Sequence, residues 1–141
     1  MDIRQRVYVA SKVSRMEGVV QELISWLEER GYSVPYDWTQ YPVLKPYELH
    51  AIEAAQAAEK MARAVMECDI LIVLCAKNGV GYHIETGGAL VASIVLGFIT
   101  GQQQKKIYVV GEGNKRSIFY YHPTVERVAT IFALQSLLQK L

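Results

Sequence analysis

Two cysteines and three histidines in 141 residues leave little material for a metal centre. Neither Cys68 nor Cys75 stands at metal-ligand spacing, so no metal and no cofactor is expected. Charge of one sign is equally scarce. The formal net charge is +1 and no block of five like charges occurs, which argues against a nucleic-acid polymer as partner and against a disordered tail. A membrane-length apolar run is missing too: "GGALVASIVLGFITG" (87–101) is fifteen residues long, too short to span a bilayer, and Glu85 sits just before it. It reads as a buried helix. "MDIRQRVYVA" has no signal-peptide hydrophobic region, and free thiols suit a reducing compartment, so a cytoplasmic protein is expected. There is no internal repeat, low-complexity tract or linker. With 51% hydrophobic and 21% charged residues, the chain has the composition of one domain, residues 1–141, with a core of its own.

What is present alternates between two periodicities. "RVYVA" (6–10) is β-branched and aromatic and predicts a buried strand. From 15 to 30, Met16, Val19, Val20, Leu23, Ile24 and Leu27 recur at helical spacing, and Gly31 closes the run as a C-cap. "YSVPY" (32–36) predicts an edge strand marked by Pro35. Residues 47–67 form an alanine-rich helical segment, and "ILIVLCA" (70–76) is a continuous apolar strand suited to the centre of a parallel sheet. A helix over 83–100 is predicted next, then strands "KIYVV" (106–110) and "SIFYY" (117–121), and a closing helix from His122 with Pro123 in its first turn. Alternating strands and helices imply right-handed βαβ units. The expected fold is α/β, a five-stranded parallel sheet in a flavodoxin-like or Rossmann-like three-layer sandwich with strand order 2-1-3-4-5.

In such sheets ligands bind beyond the carboxyl ends of the strands, where the strand order reverses. That rule selects "SKVSR" after the first predicted strand and "KNGVGYHIE" after the third. Within "GVGYHIETGGAL", Glu85 falls in the first turn of a helix whose positive end faces this crevice, so its carboxylate stays ionised. The dinucleotide fingerprint fails, because Ile84 stands where its third glycine belongs, and no Walker motif occurs. Ser11, Lys12 and Arg15 open the helix after the first strand, a natural place for a 5′-phosphate and equally for a serine cap with solvated basic neighbours. Asp37 and Trp38 leave the second predicted strand together; they suit stacking on a base and bonding to its edge, or anchoring a surface loop.

"CDILIVL" followed by "GVGYHIETGGALVAS" resembles the nucleoside 2-deoxyribosyltransferase-like family, and "VYVASKVSR" and "YDWT" resemble that family's first strand and second-strand exit. The family includes transferases that exchange bases on deoxyribose and hydrolases that cleave the N-glycosidic bond of nucleotides. The resemblance implies that Glu85 is the nucleophile at the anomeric carbon and that Tyr8 orients the sugar or the carboxylate. Asn78, Gly79 and Gly81 would line the substrate loop beside it. The chain departs from the family at Met61, where members commonly carry an aspartate, and at Gly79, where they often carry a serine or aspartate. The expected partner is a small-molecule nucleoside or nucleotide, with no membrane and with a homodimer or larger homo-oligomer. A module of the same fold that binds a nucleotide without turnover is the alternative.

Overall fold

The computed structural model describes residues 4–11, 17–42, 44–75, 105–115 and 118–139. Four parallel strands form one sheet: β1 (Val7–Ser11), β2 (Ile70–Leu74), β3 (Lys106–Val110) and β4 (Val125–Val128), in the order β1-β2-β3-β4. Among the described residues three α-helices accompany them, α1 (Glu17–Glu29), α2 (Ala51–Glu67) and α3 (Ile131–Gln139). The α/β class and the parallel sheet agree with expectation. The helix predicted over 83–100 lies outside the described residues.

All five residues of β2 are buried, as a continuous apolar strand between two parallel neighbours must be. The ladder runs in step across the sheet. Ser11 pairs with Leu74, Leu74 with Val110, and Val110 with Val128, so the four carboxyl ends stop in one row. α1 buries Val20, Leu23, Ile24 and Leu27, each contributing about 1.5–3 kcal/mol. It ends in a Schellman motif: Gly31 adopts φ 89°, its amide donates to the Glu28 carbonyl, and the Tyr32 amide donates to the Leu27 carbonyl.

Two expected strands are corrected. Of 32–36, only Ser33 pairs, in a single parallel bridge to Arg6 on the outer side of β1. The Ser33 amide donates to the Gln5 carbonyl, and the Val7 amide donates to the Ser33 carbonyl. The next ladder donor would be residue 35, and proline has no N–H. The ladder stops there. Of the strand expected over 117–121, the described residues Ile118–Tyr121 form a 3₁₀ turn instead, and the edge strand is Val125–Val128, which the sequence pattern assigns to the closing helix. Val125 and Val128 instead meet Ile107 and Val110 across the ladder. The helix starts later because Thr130 is its cap, its hydroxyl oxygen accepting from the Ala133 amide at 3.1 Å. Among the described residues the sheet therefore has four strands rather than the expected five, with residue 33 a one-residue vestige beside β1.

Right-handed crossovers are the rule for parallel strands. They put α1, leading outward from β1 to Ser33, and α2, leading back past β1 to β2, on opposite faces. α3 is tied to the end of α1 by the Tyr32 hydroxyl, which donates to the Leu138 carbonyl at 3.3 Å. At the amino end of β3, the buried Lys105 ammonium donates to the Met66 and Cys68 carbonyls and so closes the last turn of α2. Asp69 accepts from the Arg6 amide at 2.8 Å, fixing the turn from α2 into β2.

Candidate functional site

Where the second strand fails, a side chain takes over its edge. Trp38 is buried, and its indole N–H donates to the Val9 carbonyl of β1 at 2.8 Å. Asp37 shapes the turn that carries it: its carboxylate accepts from the Thr39 amide at 2.9 Å, from the Thr39 hydroxyl at 2.5 Å and from the Gln40 side chain at 3.3 Å. The carboxylate is thereby committed to its own loop. Tyr36 stacks on the buried Tyr8 of β1 at 6.3 Å between ring centres, and Tyr41 stacks on Tyr36 at 5.4 Å with the planes 10° apart. A row of three rings thus leads from the sheet outward. Burial, with the neighbouring Tyr41 second, pushes the Tyr36 hydroxyl above its ordinary pKa, so it stays a neutral donor.

Between this aromatic loop and α2 lies a cavity of about 520 Å³. Tyr36, Trp38, Tyr41 and Tyr47 form one wall. Ala54, Ala57, Ala58 and Met61 of α2 form the other. Beside the tyrosines, the polar residues of the lining are Thr39 and, on α2, Glu53, Gln56 and Lys60. The last three recur at i, i+3 and i+7, which puts them on one side of the helix. Lys60 extends over the Tyr41 ring, its ammonium 5.8 Å from the ring centre, and so bridges the two walls. The size and the mostly apolar lining suit a small organic molecule.

Of the residues singled out in the sequence, the structure brings Trp38 to the cavity, Asp37 to the turn below it and Tyr8 beneath the ring stack. Ser11 ends β1 at the carboxyl row. Glu85, Arg15, Asn78, Gly79 and Gly81 lie outside the described residues. Tyr36, Tyr41, Glu53, Gln56 and Lys60 were not singled out. Their signal was the polar triplet at helical spacing inside an otherwise alanine-rich helix, facing an aromatic loop of tyrosines. Met61 is half-buried at the cavity, whereas Glu59, two positions earlier on α2, is exposed and paired with Arg63 at 2.7 Å.

Beyond the carboxyl row, Cys75 follows β2 and packs against Gly111, which follows β3. The Cys75 amide donates to the Val110 carbonyl at 2.8 Å, and a Cβ on Gly111 would come within 3.1 Å of the Cys75 carbonyl oxygen. Burial, partly offset by a hydrogen bond with Tyr120, pushes the Cys75 thiol up to about 11, so it is not an activated nucleophile. Among the described residues no group of three or more histidine, cysteine or acidic side chains could hold a metal ion, and no helix is long and apolar enough to cross a membrane.

No protein-family profile matches the chain, and no curated protein matches it. Among solved structures it is similar to the CMP N-glycosidase BcmB of Clostridium botulinum, with a TM-score of 0.65 and 21% identity over 97% of this chain and 100% of that one. At that identity the likeness establishes a shared α/β fold.

Proposed function

We propose that the protein cleaves the N-glycosidic bond of a nucleoside 5′-monophosphate or nucleoside, by hydrolysis or by transfer of the sugar to a second base. The observation that carries this reading is the fold shared, over nearly the whole of both chains, with an enzyme that acts on CMP. The aromatic cavity beside β1 supports it, because stacking walls suit a nucleobase.

In this reading Glu85, in the segment that follows β2, is the nucleophile. Its ionised carboxylate attacks the anomeric carbon as the C–N bond breaks; the base leaves with the bonding pair and takes up a proton. Water, or a second base, then attacks the same carbon and frees the carboxylate. Ser11 and Arg15 receive the 5′-phosphate at the opening of α1, and Asn78, Gly79 and Gly81 let the sugar approach closely. Tyr8 positions Tyr36, and Asp37 positions Trp38, which contacts the base.

Incubation with a mixture of nucleoside monophosphates, followed by chromatography, tests the proposal. Free base and sugar phosphate are expected, and new nucleosides on addition of an acceptor base would mean transfer. Glu85→Gln keeps the shape without the charge and is expected to lose at least about a hundredfold in turnover while still binding nucleotide. Full activity in that variant would remove Glu85 as nucleophile. Tight binding by the unaltered chain without base release would replace the enzyme with a nucleotide sensor.

A further inference from the structure

The described residues of the cavity lining are well supplied with hydrogen-bond donors, and what each already serves separates them. The Trp38 indole N–H is spent on the Val9 carbonyl, and the Thr39 hydroxyl on the Asp37 carboxylate. Tyr41, Tyr47, Gln56 and Lys60 are exposed, so water competes for their donors. Tyr36 belongs to neither group. It is half-buried against the core, and among the described residues its hydroxyl makes no hydrogen bond. Its ring stands between those of Tyr8 and Tyr41, with centres 6.3 and 5.4 Å away, so its faces are taken and its rim, which carries the hydroxyl, is what it offers to the cavity. A partly desolvated donor without a partner is costly, and a ligand that brings an acceptor relieves that cost.

Every nucleobase carries such an acceptor close to the bond that breaks: a carbonyl oxygen in the pyrimidines, a ring nitrogen in the purines. When the C–N bond breaks, its electron pair passes to the base and negative charge spreads onto that acceptor. A hydrogen bond made there is therefore stronger in the transition state than in the bound nucleotide. We propose that the Tyr36 hydroxyl donates to this acceptor and stabilises the departing base. Tyr36 keeps its proton throughout, and the freed base takes one from water. Burial, which raises the pKa of this hydroxyl, keeps it protonated at neutral pH. The assignment rests on the cavity being the base site of the reaction proposed above.

Single-turnover release of base from CMP, UMP, AMP and GMP tests it, with the affinity for each nucleotide measured in parallel by calorimetry. Tyr36→Phe keeps both ring contacts and removes only the hydroxyl, so it is expected to fold with an unchanged urea midpoint. It is expected to slow base release at least about tenfold while weakening nucleotide binding less than about threefold. The 5-fluoro forms of CMP and UMP, whose electron-poor bases leave more readily, are expected to be slowed less than their parents in the same variant. A merely structural tyrosine would slow parent and fluorinated nucleotide alike, and that result would overturn the assignment. Release as fast in Tyr36→Phe as in the unaltered chain would also overturn it, and would leave the cleavage reading standing. No release from any of these nucleotides by the unaltered chain would overturn the cleavage reading and the assignment with it.

Discussion

Trp38 shows how one side chain can stand in for a missing strand. Its indole serves the Val9 carbonyl, on the edge of β1 beyond the point where Pro35 ends the ladder. Trp38→Phe keeps most of the apolar contact but strands a buried carbonyl, so it is expected to cost about 1–3 kcal/mol in urea unfolding. A loss below a few tenths would mean that water replaces the indole. Cys68 gives a pH signature. Burial first, and Asp69 in part, push its thiol from 9.0 up to about 11, against the lowering effect of Lys105 and Arg6. The folded chain therefore holds this proton after the unfolded chain has released it. That stabilisation is complete below pH 9 and fades as pH rises toward 11. Lys105 has the opposite sign: burial lowers its pKa, so the unfolded chain keeps that proton longer and rising pH relieves the cost of the buried ammonium. Cys68→Ala is expected to flatten the loss of stability between pH 9 and 11; unfolding midpoints that fall as steeply as in the unaltered chain would place the alkaline sensitivity elsewhere. At this scale the pairing of Asp37 with Trp38 is legible in the sequence. Which of the two faces the cavity is not, because that depends on where the second strand stops.

Among the elements, α1, β2 and β3 are legible because periodicity and continuous burial leave one solution each. β4 was hidden by competition: "SIFYY" has stronger β propensity than "VERV", yet the shorter segment takes the edge through Val125 and Val128. Its neighbour Thr130 carries an N-cap signal that outweighs Pro123 as the helix start. The second strand fails for a reason its own sequence contains, since Pro35 falls on a donor position, but the register that makes this matter comes only from pairing with β1. Gly111 belongs to the same scale. With φ at 113° and the Cys75 carbonyl 3.1 Å from where a Cβ would stand, Gly111→Ala is expected to cost about 1–3 kcal/mol. Equilibrium denaturation checks this, and a midpoint equal to that of the unaltered chain would show that the turn after β3 relaxes freely.

The molecule as a whole leaves α2 thinly covered. Val65 is the one buried side chain in its 17 residues, and Leu49 and Ile52 near its start are 74% and 75% exposed. Together with the apolar segment 83–100, this supports the expectation of a homodimer or larger assembly. Sedimentation at micromolar concentration is expected to give at least twice the 15.9 kDa of one chain. A single species of monomer mass would end that expectation.

The level row formed by Ser11, Leu74, Val110 and Val128 has a different consequence. Because the strands finish flush, changes beyond the close contact of Cys75 with Gly111 can alter length or chemistry without shifting any rung of the ladder beneath. The sheet then works as a chassis and the ledge as its mounting rail, so descendants of this chain can diversify their chemistry by exchanging ledge segments while inheriting the core unchanged.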